Sequence, residues 1–419
     1  MPVSEKAPLA GVRVADFTWV WAGPSATLQL AHLGAEVIKI ESVDRVDTTR
    51  RLPPYADNIV GPNRAGYFNQ YSQGKKSVVL NLKNEKGLEV ARDIVRIADV
   101  VADNFAAEVM DRLGLGYEDL KKIRPDIIAI SMAGYGQTGP RRNYIAYGPV
   151  QVPMIGLAAL SGYPGRGPSE VGLSYGDPNA GMHAAFAVLA ALWHRRRTGE
   201  GQFIDLSQWE AAIGLVAEGL LDWVFNKNQP DRMGNRDLAE APQGVFRCLG
   251  DDRWVAIACW SDAHWEALAR AMGREDLVGR ADLRTREGRK AHELELEQAV
   301  ADWTAARTPE DVVTTLQAAG VPAYIPLSNR GVAEDPQLNA RGAFTEFDHP
   351  EVGRRRHVGA PWVFSKSDVR ARGRAPLLGE HTAELLTSVL GYDASRIREL
   401  DEAGAFGPPG WLSRQREGD

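Results

Sequence analysis

Cysteine is nearly missing: the 419-residue chain has two, Cys248 and Cys259. Two thiols cannot build a disulfide framework or a four-ligand zinc site. Both sit in apolar, strand-like sequence, so buried thiols in a reducing cytoplasm are expected. No run of ~18 apolar residues occurs, so no membrane-spanning helix is expected. Met1 to Leu9 has no basic stretch followed by an apolar one, so no secretory leader is expected. The formal charge of −6 provides no basic stripe for nucleic acid. The eight histidines, at 32, 183, 194, 264, 292, 349, 357 and 381, show no metal-ligand spacing, and no metal site is expected. The chain also lacks a G-x-S-x-G nucleophile elbow. The turn Thr18-Trp19-Val20-Trp21-Ala22-Gly23-Pro24 lacks the three glycines that let a dinucleotide pyrophosphate approach.

What remains is an ordinary globular composition, 44% hydrophobic and 25% charged, with eleven tryptophans. The length suggests two or three domains. Strand-like and helix-like segments alternate through the first half. Strands are expected at Val12–Phe17, Glu36–Glu41, Ser77–Leu82, Asp99–Asp103 and Ile127–Met132. Ser25 is expected to cap a helix to Leu33, and Asn84 one to Ala98. Such alternation implies a mainly parallel sheet covered by helices, of Rossmann-like α/β class. Ligands then belong beyond the strand ends, near Thr18, Glu41, Asn104 and Ala133.

From Gly134 to Gly176 glycine and proline mark loops. Helices are expected over Ala180–Trp193 and Gln208–Phe225. A hairpin is expected at Val245–Cys259, then helices at Ala263–Met272 and Leu294–Trp303. Another is capped by Thr308 with Asp311. The expected layout is a large domain over 1–231, a smaller α+β domain over 232–326, and a return to the large domain over 327–419.

One carboxylate stands out. Asp177 lies between Gly176 and Pro178 at the mouth of an apolar helix. Such an aspartate can be a helix cap. It can also be a nucleophile that attacks an acyl group, with backbone N–H groups of a glycine-rich loop holding the oxyanion. Residue type and position leave both readings open.

Ordered motifs over nearly the whole chain then narrow the choice. They are Leu9–Phe17, Ala22-Gly23-Pro24, Leu33–Glu41, Lys75-Lys76-Ser77, Asp103-Asn104-Phe105, Gly134–Pro140, Gly176-Asp177, Gly234-Asn235-Arg236 and Ala375–Thr382. In these the sequence resembles the class III CoA-transferases, the CaiB/BaiF family of formyl-CoA transferase. The resemblance implies a Rossmann-like large domain, a smaller inserted domain and an interlocked homodimer. It implies acyl-CoA and carboxylic acid substrates, with no tightly bound cofactor. It makes Asp177 the nucleophile of an aspartyl anhydride and aspartyl-CoA pathway. It places Val20, Trp21, Leu80 to Lys83, Asn104, Phe105, Arg112, Ala146 and Tyr147 at the CoA site. Trp21 stands where formyl-CoA transferase has a glutamine, which implies a bulkier or less polar acyl group. Ser42 replaces an arginine that nearby Arg45 can stand in for. The glycine-rich lid of oxalate-using members is missing. The alternatives are an α-methylacyl-CoA racemase, which needs a histidine where this chain reads Ala146-Tyr147-Gly148, and a non-catalytic CoA-binding protein.

Overall fold

The computed structural model describes residues 6–417. The start of the leader reading, residues 1–5, lies outside them. The chain divides into two compact units: residues 1–157, 170–221 and 340–419 form one, and 158–169 with 222–339 form the other. The smaller unit is longer than the expected 232–326 and recruits a short upstream stretch.

The larger unit is built on a six-stranded parallel sheet in the order β3-β2-β1-β4-β5-β6. The strands are β1 (Arg13–Asp16), β2 (Glu36–Glu41), β3 (Lys76–Val79), β4 (Val100–Asp103), β5 (Ile128–Ser131) and β6 (Phe203–Asp205). β1 pairs in parallel with both β2 and β4, Val14 lying beside Val37 and Val100. Alternate side chains face opposite sides of a strand, and here both sides are apolar. On one face Val14, Val37, Val100 and Ile130 meet helix α1 (Ala22–His32) and helix α3 (Gly176–Thr198). On the other, Ala15, Ile38, Val78 and Val101 meet helix α2 (Glu85–Ile97) and Leu386, Leu400 and Phe406 of the C-terminal stretch. That stretch is stitched to β3: the Val79 N–H donates to Thr382 Oγ1 (3.0 Å), and the Gly379 N–H to Ser77 Oγ (2.8 Å).

Several starts follow the expected chemistry. The Asn84 side chain accepts the Lys86 N–H at 2.8 Å and caps α2. Ser25 behaves differently. It lies inside α1, and its hydroxyl donates back to the Ala22 carbonyl. The helix expected over Gln208–Phe225 is broken by a 3₁₀ turn at Gly214–Val216.

The smaller unit holds a three-stranded antiparallel sheet of Gln243–Arg247, Trp254–Ala258 and Ala323–Tyr324. Helices Asp262–Ala271, Glu293–Ala305 and Pro309–Ala318 pack on it through Trp265, Leu268, Leu296, Val300 and Val312. Thr308 caps the last of these by accepting the Asp311 N–H. Cys248 and Cys259 are buried here as free thiols, and burial pushes the Cys259 thiol up to about 12. No described helix is long and apolar enough to cross a membrane. The described residues hold no group of three or more His, Cys, Asp or Glu placed to bind a metal.

Candidate active site

The strand order reverses between β1 and β4, because β1 leads on to β2 on one side and β4 to β5 on the other. Parallel sheets hold ligands beyond the carboxyl ends of strands at such a reversal. A cavity of about 750 Å³ opens there. Trp19 and Val20, which follow β1, and Asn104 and Phe105, which follow β4, form part of its wall. Leu80, Lys83, Ala146, Tyr147 and Asp177 also line it.

Two residues expected at the CoA site are placed elsewhere. Trp21 is buried and is not part of the cavity wall. Its indole packs on Tyr67 and Tyr71, with ring centroids 5.6 and 5.7 Å away. Arg112 is an exposed side chain beside Glu108 (3.9 Å) and is likewise outside the wall. Arg142 lines the cavity instead, paired with Glu108 at 2.6 Å. Arg45 does too, with its guanidinium 5.4 Å from the Trp19 ring centre. With Lys83 these supply three cations to the wall.

Asp177 occupies the second position of α3, whose N-cap is Tyr175. Its side chain makes no capping bond, so the cap reading does not describe this residue. No described residue donates to its carboxylate, and it is 8% exposed. A helix N-terminus favours an anion, but burial without a partner works against it and wins. The carboxyl is pushed up to about 7, with desolvation as the cause. Asp103 is likewise pushed up to about 7 by burial, although it accepts the Phe105 N–H and the Ser131 hydroxyl; two other buried acids meet cations. Asp16 meets Lys75 at 3.1 Å, and Glu41 meets Arg50 at 2.7 Å.

Two glycines make room for this carboxylate. A Cβ on Gly148 would lie 2.2 Å from Asp177 Oδ2 and 2.2 Å from Ser174 Cβ. A Cβ on Gly181 would lie 2.0 Å from Ser25 Oγ and 2.8 Å from the Ala22 carbonyl oxygen. Gly181 therefore lets α3 approach α1 closely, one turn after Asp177. Tyr67 and Tyr71 were not singled out in the sequence. Burial raises both phenols, and the Asp177 charge raises them further. Their spacing, four apart in the short helix Gly66–Tyr71, was the available signal.

An unpaired carboxylate in a large cavity at the sheet's switch point is suited to attack on an electrophilic acyl carbon. Comparison with known proteins defines the class. The family model described as CoA-transferase family III matches residues 9–382. A succinate–glutarate CoA-transferase of Agrobacterium fabrum is 31% identical, the match covering 92% of this chain and 96% of the relative. A succinyl-CoA:mesaconate CoA-transferase of Haloarcula hispanica is 33% identical over 94% and 99%. A formyl-CoA:oxalate CoA-transferase of Rhodopseudomonas palustris is 32% identical over 96% and 98%. The crystal structure of a CaiB/BaiF family protein from Brucella suis superposes with a TM-score of 0.82, at 32% identity over 92% of this chain and all of that one. The protein is thus an enzyme that moves CoA. The chain belongs to CoA-transferase family III, the CaiB/BaiF family.

Proposed function

We propose that Asp177 is the covalent nucleophile of the transfer. The observation that carries this reading is its carboxylate, buried and unpaired at the cavity wall. A carboxylate deprived of water and of counter-charge holds less tightly to its electron pair and attacks more readily. Asp177 attacks the carbonyl carbon of the donor thioester. The C–S bond breaks, CoA leaves as thiolate, and a mixed anhydride joins Asp177 to the acyl group. The thiolate then attacks Asp177 Cγ and displaces the donor acid, which carries away one aspartate oxygen. The acceptor carboxylate attacks the resulting aspartyl-CoA thioester and releases the thiolate. The thiolate attacks the acceptor's acyl carbon, which frees Asp177 with one oxygen taken from the acceptor. One thioester is exchanged for another, so the transfer needs no ATP, and the steps above are carried by Asp177 and the two substrates alone.

Val20, Leu80, Lys83, Asn104, Phe105, Ala146 and Tyr147 are assigned to CoA recognition as cavity-wall residues. Arg45, Lys83 and Arg142 are suited to its phosphates. Trp21 and Arg112 are assigned a part only through their neighbours, Tyr67 and Glu108 respectively. The donor is taken as succinyl-CoA and the acceptor as a dicarboxylic or aromatic acid, since relatives are named for succinate, glutarate and mesaconate. A racemase would need a second acid/base group facing the α-carbon, and no histidine lies in the described wall of the cavity. The enzyme is further assigned to the cytoplasm as a homodimer. Met182, Phe186, Leu189 and Trp193 support the second copy: they form one exposed apolar stripe along α3.

The test is turnover with an acceptor acid labelled with heavy oxygen in its carboxylate. Peptide mass analysis afterwards finds the label in Asp177. Turnover that leaves Asp177 unlabelled would exclude the anhydride route.

A further inference from the structure

Val20 is the only β-branched residue among the described non-glycine residues with a left-handed backbone, at φ +65°. That conformation is a true outlier for valine and is strained. It persists only where the surroundings impose it, and here side chains hold five backbone polar groups in succession. The Thr18 N–H donates to Asp16 Oδ1 at 2.9 Å. The Thr18 carbonyl accepts from Lys39 Nζ at 2.7 Å. The Trp19 N–H donates to Asn104 Oδ1, and the Trp19 carbonyl accepts from Asn104 Nδ2, both at 2.7 Å. The Val20 N–H donates to Asp47 Oδ1 at 3.2 Å.

The clamp is itself braced. Asp47 Oδ2 meets Lys39 Nζ at 3.1 Å, and both side chains are fully buried. Asp47 Oδ1 also accepts the Thr49 N–H at 3.0 Å. Asp16 is held by Lys75, which also donates to Thr27 Oγ1. A buried ion pair is weak evidence for stability, because desolvation offsets its attraction. Fixing one conformation is the better account of it. What the clamp fixes is the cavity wall, since Trp19 and Val20 both line it. The Trp19 ring meets Phe105 edge-on at 6.2 Å. Asn104 also lines the cavity, yet its amide oxygen and nitrogen both engage Trp19.

We propose that Asp47 and Asn104 are positioning residues that shape the CoA-binding wall by holding Val20 in its strained left-handed conformation. Asn104 then acts through the Trp19 main chain. Asp47 acts from behind the wall, with Lys39 as its counter-charge. The inference rests on CoA occupying this cavity.

A double-mutant cycle tests it with Asp47→Ala, Val20→Gly and the pair, in the full-length enzyme. CoA affinity is read by calorimetry, KM and kcat with succinyl-CoA as donor, and Tm separately. Glycine takes φ > 0 without a clamp. Asp47→Ala therefore weakens CoA binding about tenfold in the valine background. In the glycine background the same change costs less than about threefold. Tm falls equally in both, because Lys39 loses its ion pair with Asp47 either way. Asp47→Asn keeps the Oδ1 acceptor and loses less affinity than Asp47→Ala. If Asp47→Ala does not fold, Asn104→Ala runs the same cycle. Equal fold losses in the two backgrounds would overturn this inference alone. A wild-type enzyme that binds no CoA would overturn the cavity's assignment and this inference with it.

Discussion

Asp177 departs from the paired buried acids Asp16 and Glu41 because nothing answers its charge, and from Asp103 because no N–H or O–H donates to it. Its carboxyl stays protonated up to about 7, and the proposed nucleophile is the ionised form. The kcat/KM for the donor therefore falls about tenfold per pH unit below that value and levels off above it. A pH–rate profile checks this, and one that stays flat down to about pH 5 contradicts it. The same shift governs stability. Between the unfolded value of 3.8 and the folded value of about 7, the native carboxyl holds a proton that the unfolded one releases. Stability is thus lost as pH rises through that window, by about 4 kcal/mol at most. Asp177→Asn removes the loss. The variant, inactive, melts higher than wild type at pH 8 and alike at pH 4. Asp177 was legible as a residue from its place between Gly176 and Pro178 and from the matched motifs. Its isolation was not legible, because the glycine that clears its carboxylate, Gly148, opens a separate short helix, Gly148–Met154.

At the scale of elements, the site depends on α3 lying close to α1. Gly181→Ala drives a methyl against Ser25 Oγ and the Ala22 carbonyl oxygen, and the backbone oxygen cannot swing aside. The variant loses about 1–3 kcal/mol of stability and some activity through the displaced helix. Denaturation midpoints measure the first effect. Gly148→Ala is local: its methyl meets the Asp177 carboxylate itself. We expect kcat to fall about a hundredfold while CoA affinity changes little. Steady-state kinetics with CoA calorimetry separate the two. Elements with strong local chemistry were legible: the run Glu36–Glu41, the Asn84 cap and the Thr308 cap all match. Ser25 was misleading because the start of α1 is set by the clamped turn at Val20, whose partners Asp47 and Asn104 are distant in sequence. Short helices such as Glu275–Val278 and Arg286–Ala291 have too few turns to show a period.

For the whole molecule, the alternation of strands and helices announced a parallel sheet, and the strand order placed its ligand crevice at β1 and β4. The boundaries of the smaller unit were harder to read, because residues 158–169 join it through space rather than through sequence. Arg232 illustrates this by donating to the Arg166 and Ala159 carbonyls. The exposed stripe on α3 leads to a solution prediction. Light scattering finds twice the chain mass, and dilution to nanomolar concentration does not separate the copies if they are interlocked. Phe186→Asp, at the centre of the stripe, lowers the yield of dimer. A wild-type enzyme that runs as a monomer contradicts the assignment.

The most direct measurement is the intact mass of the enzyme after incubation with succinyl-CoA alone and rapid quenching. With no acceptor present, the aspartyl-CoA thioester accumulates. The account predicts a covalent CoA adduct that maps to Asp177, disappears when a carboxylic acid acceptor is added, and never forms in Asp177→Ala. CoA transfer that proceeds normally in Asp177→Ala, or an adduct on any other residue, would contradict it.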